Sequence, residues 1–294
     1  MNIEKDANNI KLNSICKFVE KSIIPIIVCL EDEKTGKYKS GIHGTGTLFK
    51  FLDKYFIISA AHVLSPLDKR YENKIGIPIA KNKPEVITLN NCIISTPFDN
   101  EICNKYDYGI IELSTYYGKD LEENYIFLNE DNISFKIYDK MNIYISGYPA
   151  SWTYFDDNTN ILHTVPFKLM SRRKTPQKNY PEYDQNAHIM VEYNDSYYFG
   201  TDIKNKIIAE QDLGGISGCS IWADEDYSKE FWCPKNNLKI IGIQTGFMKA
   251  EYIKGTKWIF LAEAFKHYDE NIYKLLFECR EKQSVRCFKE LKQS

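Results

Sequence analysis

An all-β core with helical ends is the fold class this sequence predicts, on three observations. Between about residues 23 and 261, Ile, Tyr, Phe, Val and Thr recur in short runs broken by Gly, Asn, Asp and Pro, the pattern of many short strands. Near the N-terminus Ile15, Phe18 and Val19 fall on one helical face, whereas from Ala262 to Lys292 Gly and Pro are absent. The chain has 294 residues, enough for one large unit or two packed ones with a sizeable core.

In chain order, Asn13 or Ser14 caps a short helix through Glu20. The clearest hairpin pairs Thr45 to Phe51 with Tyr55 to Ser59 around a turn at Leu52-Asp53-Lys54, since two β-branched or aromatic runs flank a polar break. Further strands are expected over Glu85 to Leu89, Tyr108 to Leu113, Met141 to Ser146, His188 to Tyr193 and Leu238 to Gln244. Pro166 to Asp184, with Ser171-Arg172-Arg173-Lys174 and then Pro176 and Pro181, has the composition of an exposed, solvated loop, the alternative being a loop that borders the substrate groove and helps select substrate. The final segment reads as a docked amphipathic helix, with Phe265, Ile272, Leu275, Leu276 and Cys279 near the helical period.

Charge narrows the function classes. Lys plus Arg number 38 and Asp plus Glu 40, a net charge of −2, which excludes a polyanion-binding or membrane-surface role driven by bulk electrostatics; no nucleic-acid or membrane partner is expected. No signal-like run opens the chain from Met1 to Asn9, and the apolar stretch from Ile23 to Leu30 carries Pro25 and is too short to span a bilayer. A cytoplasmic location follows as an expectation. The eight cysteines have no CxxC or Cys/His pairing, so no metal or other cofactor is expected, and although their even count permits disulfides, the missing secretory signal favours free thiols. His43, His163, His188 and His267 share no metal-ligand spacing.

Three short motifs carry chemistry when taken together. Ser59-Ala60-Ala61-His62-Val63-Leu64 places an imidazole at the end of an apolar strand, and Tyr106-Asp107-Tyr108-Gly109-Ile110-Ile111 places a carboxylate at the head of another. Gly214-Gly215-Ile216-Ser217-Gly218-Cys219 sets a serine in a glycine-rich turn. A serine hydroxyl is inert at neutral pH until a nearby imidazole takes its proton, and a carboxylate must hold that imidazole in the right tautomer. Glycines beside the serine allow a sharp turn that aims backbone N–H groups at an oxyanion, with Gly215 and Ser217 as the donors. Cys219 and Ser220 rank below Ser217 as nucleophiles because they lie past the turn.

On these residues the sequence resembles a trypsin/chymotrypsin-like serine peptidase of a divergent, intracellular bacterial type. Ser59-Ala60-Ala61-His62 resembles that family's histidine motif, Asp107 with its following strand the aspartate motif, and Gly215-Ile216-Ser217-Gly218 the serine turn. The resemblance implies a chymotrypsin-like double β-barrel with residues 1–22 as a helical extension, 23–132 as a first barrel, 133–261 as a second and 262–294 as a C-terminal helix. It also implies a serine endopeptidase, a hydrolase forming an acyl-enzyme on Ser217, with His62 as general base and acid and Asp107 as orienting acid. Protein or peptide substrates would bind along Gln244, Thr245 and Gly246, and Gln211 aligns with the residue lining the specificity pocket. Ile216 stands where trypsin has the aspartate that receives a new N-terminus. Activity held off until a partner protein or the substrate orders the Gly214 to Ser217 turn is therefore an expectation too. The rivals are ester hydrolysis by the same triad and a catalytically silent relative that binds peptides or acts as a sensor.

Overall fold

The computed structural model describes residues 2–31, 38–64, 75–80, 85–89, 92–95, 106–138, 141–156, 161–174, 180, 183–193, 197–198, 213–224, 232–248 and 251–290. A first antiparallel sheet contains β1 (Ile23–Glu31), β2 (Tyr38–Phe51), β3 (Lys54–Ser59), β4 (Ile75–Pro78), β5 (Val86–Thr88), β6 (Ile93–Ser95) and β7 (Gly109–Leu113). Its order is β5-β4-β1-β2-β3-β7-β6. The two edge strands are consecutive in the chain, and Cys92 N–H donates to Leu89 C=O at 3.1 Å between them. That bond brings the two edges of the sheet together, so the sheet curls on itself.

The second sheet contains β8 (Asn142–Gly147), β11 (Phe167–Arg172), β12 (His188–Glu192), β13 (Tyr197–Tyr198), β14 (Ser220–Asp224), β15 (Leu238–Met248) and β16 (Tyr252–Lys257), while β9 (Thr153–Asp156) and β10 (Ile161–Thr164) form a separate hairpin. Its order is β12-β16-β15-β14-β8-β11-β13. An antiparallel bridge from Arg173 to Val191, with Lys174 N–H donating to Met190 C=O at 2.7 Å, links the continuation of β11 back to β12 and closes six of the strands. Two curled antiparallel sheets, the β9–β10 hairpin and helical ends therefore account for most of the described residues.

Apolar runs appear without alternation because both faces of many strands are covered. In β3, Tyr55 and Ile57 fill the first barrel while Phe56 and Ile58 face a core shared by both barrels. In β14, Ile221 and Ala223 fill the second barrel and Trp222 faces the shared core. Burying each such side chain contributes roughly 1.5–3 kcal/mol.

The terminal helices complete that shared core. A helix over Asn2–Ser22 packs Ile15, Cys16 and Val19 into it, with Phe18 edge-on to Trp222 at 5.9 Å. Lys11 pairs with Asp224 and Glu20 with Lys168, tying the helix to the second barrel. It extends beyond the span expected from Asn13 or Ser14 to Glu20, and Ser14 lies inside it, its hydroxyl donating to Ile10 C=O at 2.9 Å. Ile15→Ala is expected to lower unfolding free energy by about 2–5 kcal/mol, because Ile15 is fully buried. A denaturant midpoint equal to wild type would show that the helix is not docked.

Two expectations need correcting. The basic stretch read as loop is partly strand: Ser171 and Arg172 close β11, which pairs with β8 from Phe167↔Gly147 to Arg172↔Asn142. Inward-facing Phe167 and Leu169 fill the second barrel and outweigh the local charge. The C-terminal segment is two helices, Trp258–Tyr268 and Glu270–Glu290. They break at Asp269, which is extended (φ −151, ψ 104) and caps the second helix, accepting from Asn271 N–H at 3.0 Å and Ile272 N–H at 3.2 Å.

Candidate active site

His62 and Asp107 meet because of strand register. β3 and β7 pair from Tyr55↔Leu113 to Ser59↔Gly109, and the same register places Ala61 opposite Asp107, whose C=O accepts from Ala61 N–H at 3.2 Å. The Asp107 carboxylate then grips the next residue twice, accepting from His62 N–H at 2.9 Å and meeting the ring Nδ1 at 2.7 Å. Asp107 has φ +47, a left-handed conformation that Asp and Asn tolerate better than other side chains. A side chain turned back onto its neighbours accompanies that backbone strain, as is common at functional sites. The His62 side chain stays 42% accessible while that of Asp107 is 16% accessible. His43 sits near enough to be influenced by His62; burial pushes its imidazole below the ordinary value and the charged form of His62 acts in the same direction.

Ser217 comes from two consecutive turns. Ile216 N–H donates to Leu213 C=O at 3.2 Å and Cys219 N–H to Ile216 C=O at 3.0 Å. Gly215 (φ +98) and Gly218 (φ +88) occupy the third position of each, where a type II turn demands positive φ. That requirement is the physical content of the Gly-x-x-Gly spacing around the serine.

The carbonyls of these turns are anchored. Ala150 N–H donates to Gly214 C=O at 2.7 Å, so the trans peptide points the Gly215 N–H the opposite way. The bond from Cys219 to Ile216 C=O orients the Ser217 N–H by the same reasoning. Neither N–H donates to another group among the described residues.

The serine turn packs on the histidine segment. Thr45 N–H donates to Ser217 C=O at 2.8 Å, and a Cβ built on Gly218 would lie 2.0 Å from Ser59 Oγ and 2.8 Å from Ala60 N. No hydrogen bond joins Ser217 Oγ to the His62 ring among the described residues. Cys219 is fully buried, and burial pushes its thiol far up, which keeps it protonated and unsuited to attack.

Of the residues expected to touch substrate, Gln211 lies outside the described residues. Gln244 exchanges both backbone bonds with the serine turn: Gly218 N–H donates to Gln244 C=O, and Gln244 N–H to Cys219 C=O, each at 2.8 Å. Its Nε2 donates to Gly246 C=O at 2.9 Å, while its buried Oε1 has no partner among the described residues. β14 begins at Ser220, opposite Ile243, so beyond Gln244 the β14-facing edge of β15 has no strand partner among the described residues. Thr245 and Gly246 lie on that open stretch.

Sequence reasoning missed Thr45 and Ala150, whose roles depend on contacts across more than 60 residues; only the placement of Thr45 in the strand before the histidine was legible. Among the described residues no three His, Cys, Asp or Glu side chains lie close enough to hold a metal ion, and no helix is long and apolar enough to cross a membrane. Cys16, Cys92, Cys219, Cys233 and Cys279 are free thiols.

No family model and no curated protein matches this sequence. Among solved structures it is similar to the active form of the Rv3671c protease of M. tuberculosis, at 13% identity and TM-score 0.47, covering 87% of this chain and 85% of that one. It is also similar to an inactivated protease paralogue of the scabies mite, at 12% identity and TM-score 0.46, covering 87% and 96%. An HtrA-type protease with a decapeptide is similar at 9% identity and TM-score 0.45, covering 86% of this chain and 66% of that one. On its own strand order, two curled antiparallel sheets contributing His62 and Asp107 from one side and Ser217 from the other, the chain is a chymotrypsin-like double β-barrel.

Proposed function

We propose that this protein is a serine endopeptidase in which Ser217 attacks the substrate carbonyl, His62 takes and returns the proton, and Asp107 orients the imidazole. The observation that carries this reading is the doubly held Asp107–His62 pair beside a serine turn packed on Ser59 and Ala60. With Nδ1 engaged by the carboxylate, Nε2 is left to accept the serine proton. The Gly215 and Ser217 N–H groups, turned away from anchored carbonyls and unengaged among the described residues, are the donors for the oxyanion of the tetrahedral intermediate. An acyl-enzyme forms on Ser217 with loss of the amine, which His62 protonates, and water then releases the acid by the same steps reversed.

A peptide substrate is favoured over a compact ester by the edge of β15 beyond Gln244, which has no strand partner among the described residues and so offers an extended chain a place to pair. The absent hydrogen bond between Ser217 Oγ and His62 keeps a second reading in view: a catalytically silent module that binds an extended peptide along this edge. Catalytic hydrogen bonds of serine sites are often long before substrate arrives, so the enzyme reading is preferred.

Intact-mass spectrometry after exposure to a fluorophosphonate separates the two. One adduct on wild type and none on Ser217→Ala is the expected result. No adduct on wild type, with an extended peptide still bound, would replace the enzyme by the binding module.

A further inference from the structure

We infer that Thr45 is the positioning residue of the oxyanion turn, a first-barrel hydroxyl that holds the Gly215–Ser217 backbone in its working orientation. The inference rests on the enzyme reading above and adds a part to it.

Thr45 is fully buried in β2, and each of its polar groups is committed across the cleft or to the histidine segment. Its N–H donates to Ser217 C=O at 2.8 Å and its Oγ1 donates to Gly215 C=O at 2.9 Å. The same Oγ1 accepts from Tyr148 N–H at 2.9 Å, on the segment whose Ala150 holds Gly214 C=O. Its own C=O accepts from Ser59 Oγ at 2.8 Å, three residues before His62.

The β2–β3 ladder explains why the amide is available. The ladder ends at Thr47↔Ile58 and β3 at Ser59, so Thr45 projects past the strand beside it and Ser217 C=O takes the vacant ladder position.

The consequence lies in peptide orientation. The donor peptides have their own carbonyls, 214 and 216, held by Ala150 and Cys219, while Thr45 Oγ1 and Thr45 N–H hold carbonyls 215 and 217 of the peptides that flank the Ser217 donor, so the turn cannot shift on either side of that donor without breaking a buried bond to Thr45. The hydroxyl is the one side-chain contact in this set. It also joins the turn to Tyr148, so the two walls of the cleft share one atom.

The test compares Thr45→Val, which has the same shape but no hydroxyl, with Thr45→Ser, which restores it. Thr45→Val is expected to slow kcat, and the rate of fluorophosphonate labelling, by about 10²-fold with KM nearly unchanged, and Thr45→Ser to recover to within roughly threefold of wild type. Amide exchange at Ile216 and Cys219, read by NMR on the full chain, is expected to speed up by about tenfold or more in Thr45→Val but not in Thr45→Ser, with β12 and β16 amides unaffected. If valine prevents folding, Thr45→Ala removes the same bonds without placing a methyl against Tyr148 N–H.

Wild-type rates of both labelling and turn exchange in the hydroxyl-free variant would overturn the inference. If wild type itself fails to label, the enzyme reading fails, and the exchange comparison alone decides whether Thr45 holds the turn.

Discussion

An Asp107→Asn chain is expected to fold normally and to label or turn over about 10⁴-fold more slowly, the loss that the same change produces in the Ser-His-Asp template. The geometry around His62 says why. One carboxylate oxygen accepts from the His62 backbone N–H at 2.9 Å and the other meets Nδ1 at 2.7 Å. An asparagine must give its carbonyl to the backbone N–H, because two N–H groups cannot face each other there. Its amino group then points at Nδ1, which must accept, and the ring proton moves to Nε2. The imidazole can no longer take a proton from Ser217. Asparagine tolerates the φ of +47 at this position, so the thermal midpoint should stay close to wild type. A labelling rate within about tenfold of wild type would mean that Asp107 does not set the tautomer of a catalytic base.

Gly218→Ala is the other large effect, on stability and activity together. At φ +88 a side chain is strained whatever space it finds, by roughly 1–2 kcal/mol. Here there is no space: the new Cβ would stand 2.0 Å from Ser59 Oγ, 2.3 Å from Thr45 C=O oxygen and 2.8 Å from Ala60 N. Two of those atoms are backbone, and Ser59 Oγ is itself bonded to Thr45 C=O, so relief requires parting the serine turn from the histidine segment. A loss of about 4 kcal/mol or more is expected, and a thermal midpoint lower by about 10 °C, with fluorophosphonate labelling abolished. Gly41→Ala is the control, since a Cβ there meets nothing within 4 Å. Should Gly218→Ala melt with wild type and label normally, the contact between the serine turn and Ser59–Ala60 is not part of the native protein.

The strand pattern and the motifs were legible because they are local. The hairpin around Leu52 follows from two apolar runs and a polar break, and it appears as β2 and β3. The glycines beside Ser217 announce two positive-φ positions three residues apart, a constraint each residue carries with it. His62, in the helical turn Ala61–Leu64 just past β3, and Asp107, just ahead of β7, meet because antiparallel register brings those strand ends together.

Elsewhere local chemistry misled. The Asn-rich N-terminus has weak helix propensity, yet the helix runs over Asn2–Ser22, since burial of Ile15, Cys16 and Val19 in the shared core outweighs propensity. The arginine-bearing end of β11 read as loop because charge masked the inward alternation of Phe167 and Leu169.

By itself, then, the sequence determined the class of fold, the turns and the three chemical groups, because dihedral limits and side-chain alternation act between neighbours. Only the tertiary structure decided that a buried threonine 172 residues away from Ser217 would hold its carbonyl, and that Gln244 would bracket the serine turn. Those bonds link segments with no shared local pattern, and they form only where both barrels and the core between them have already set the distance.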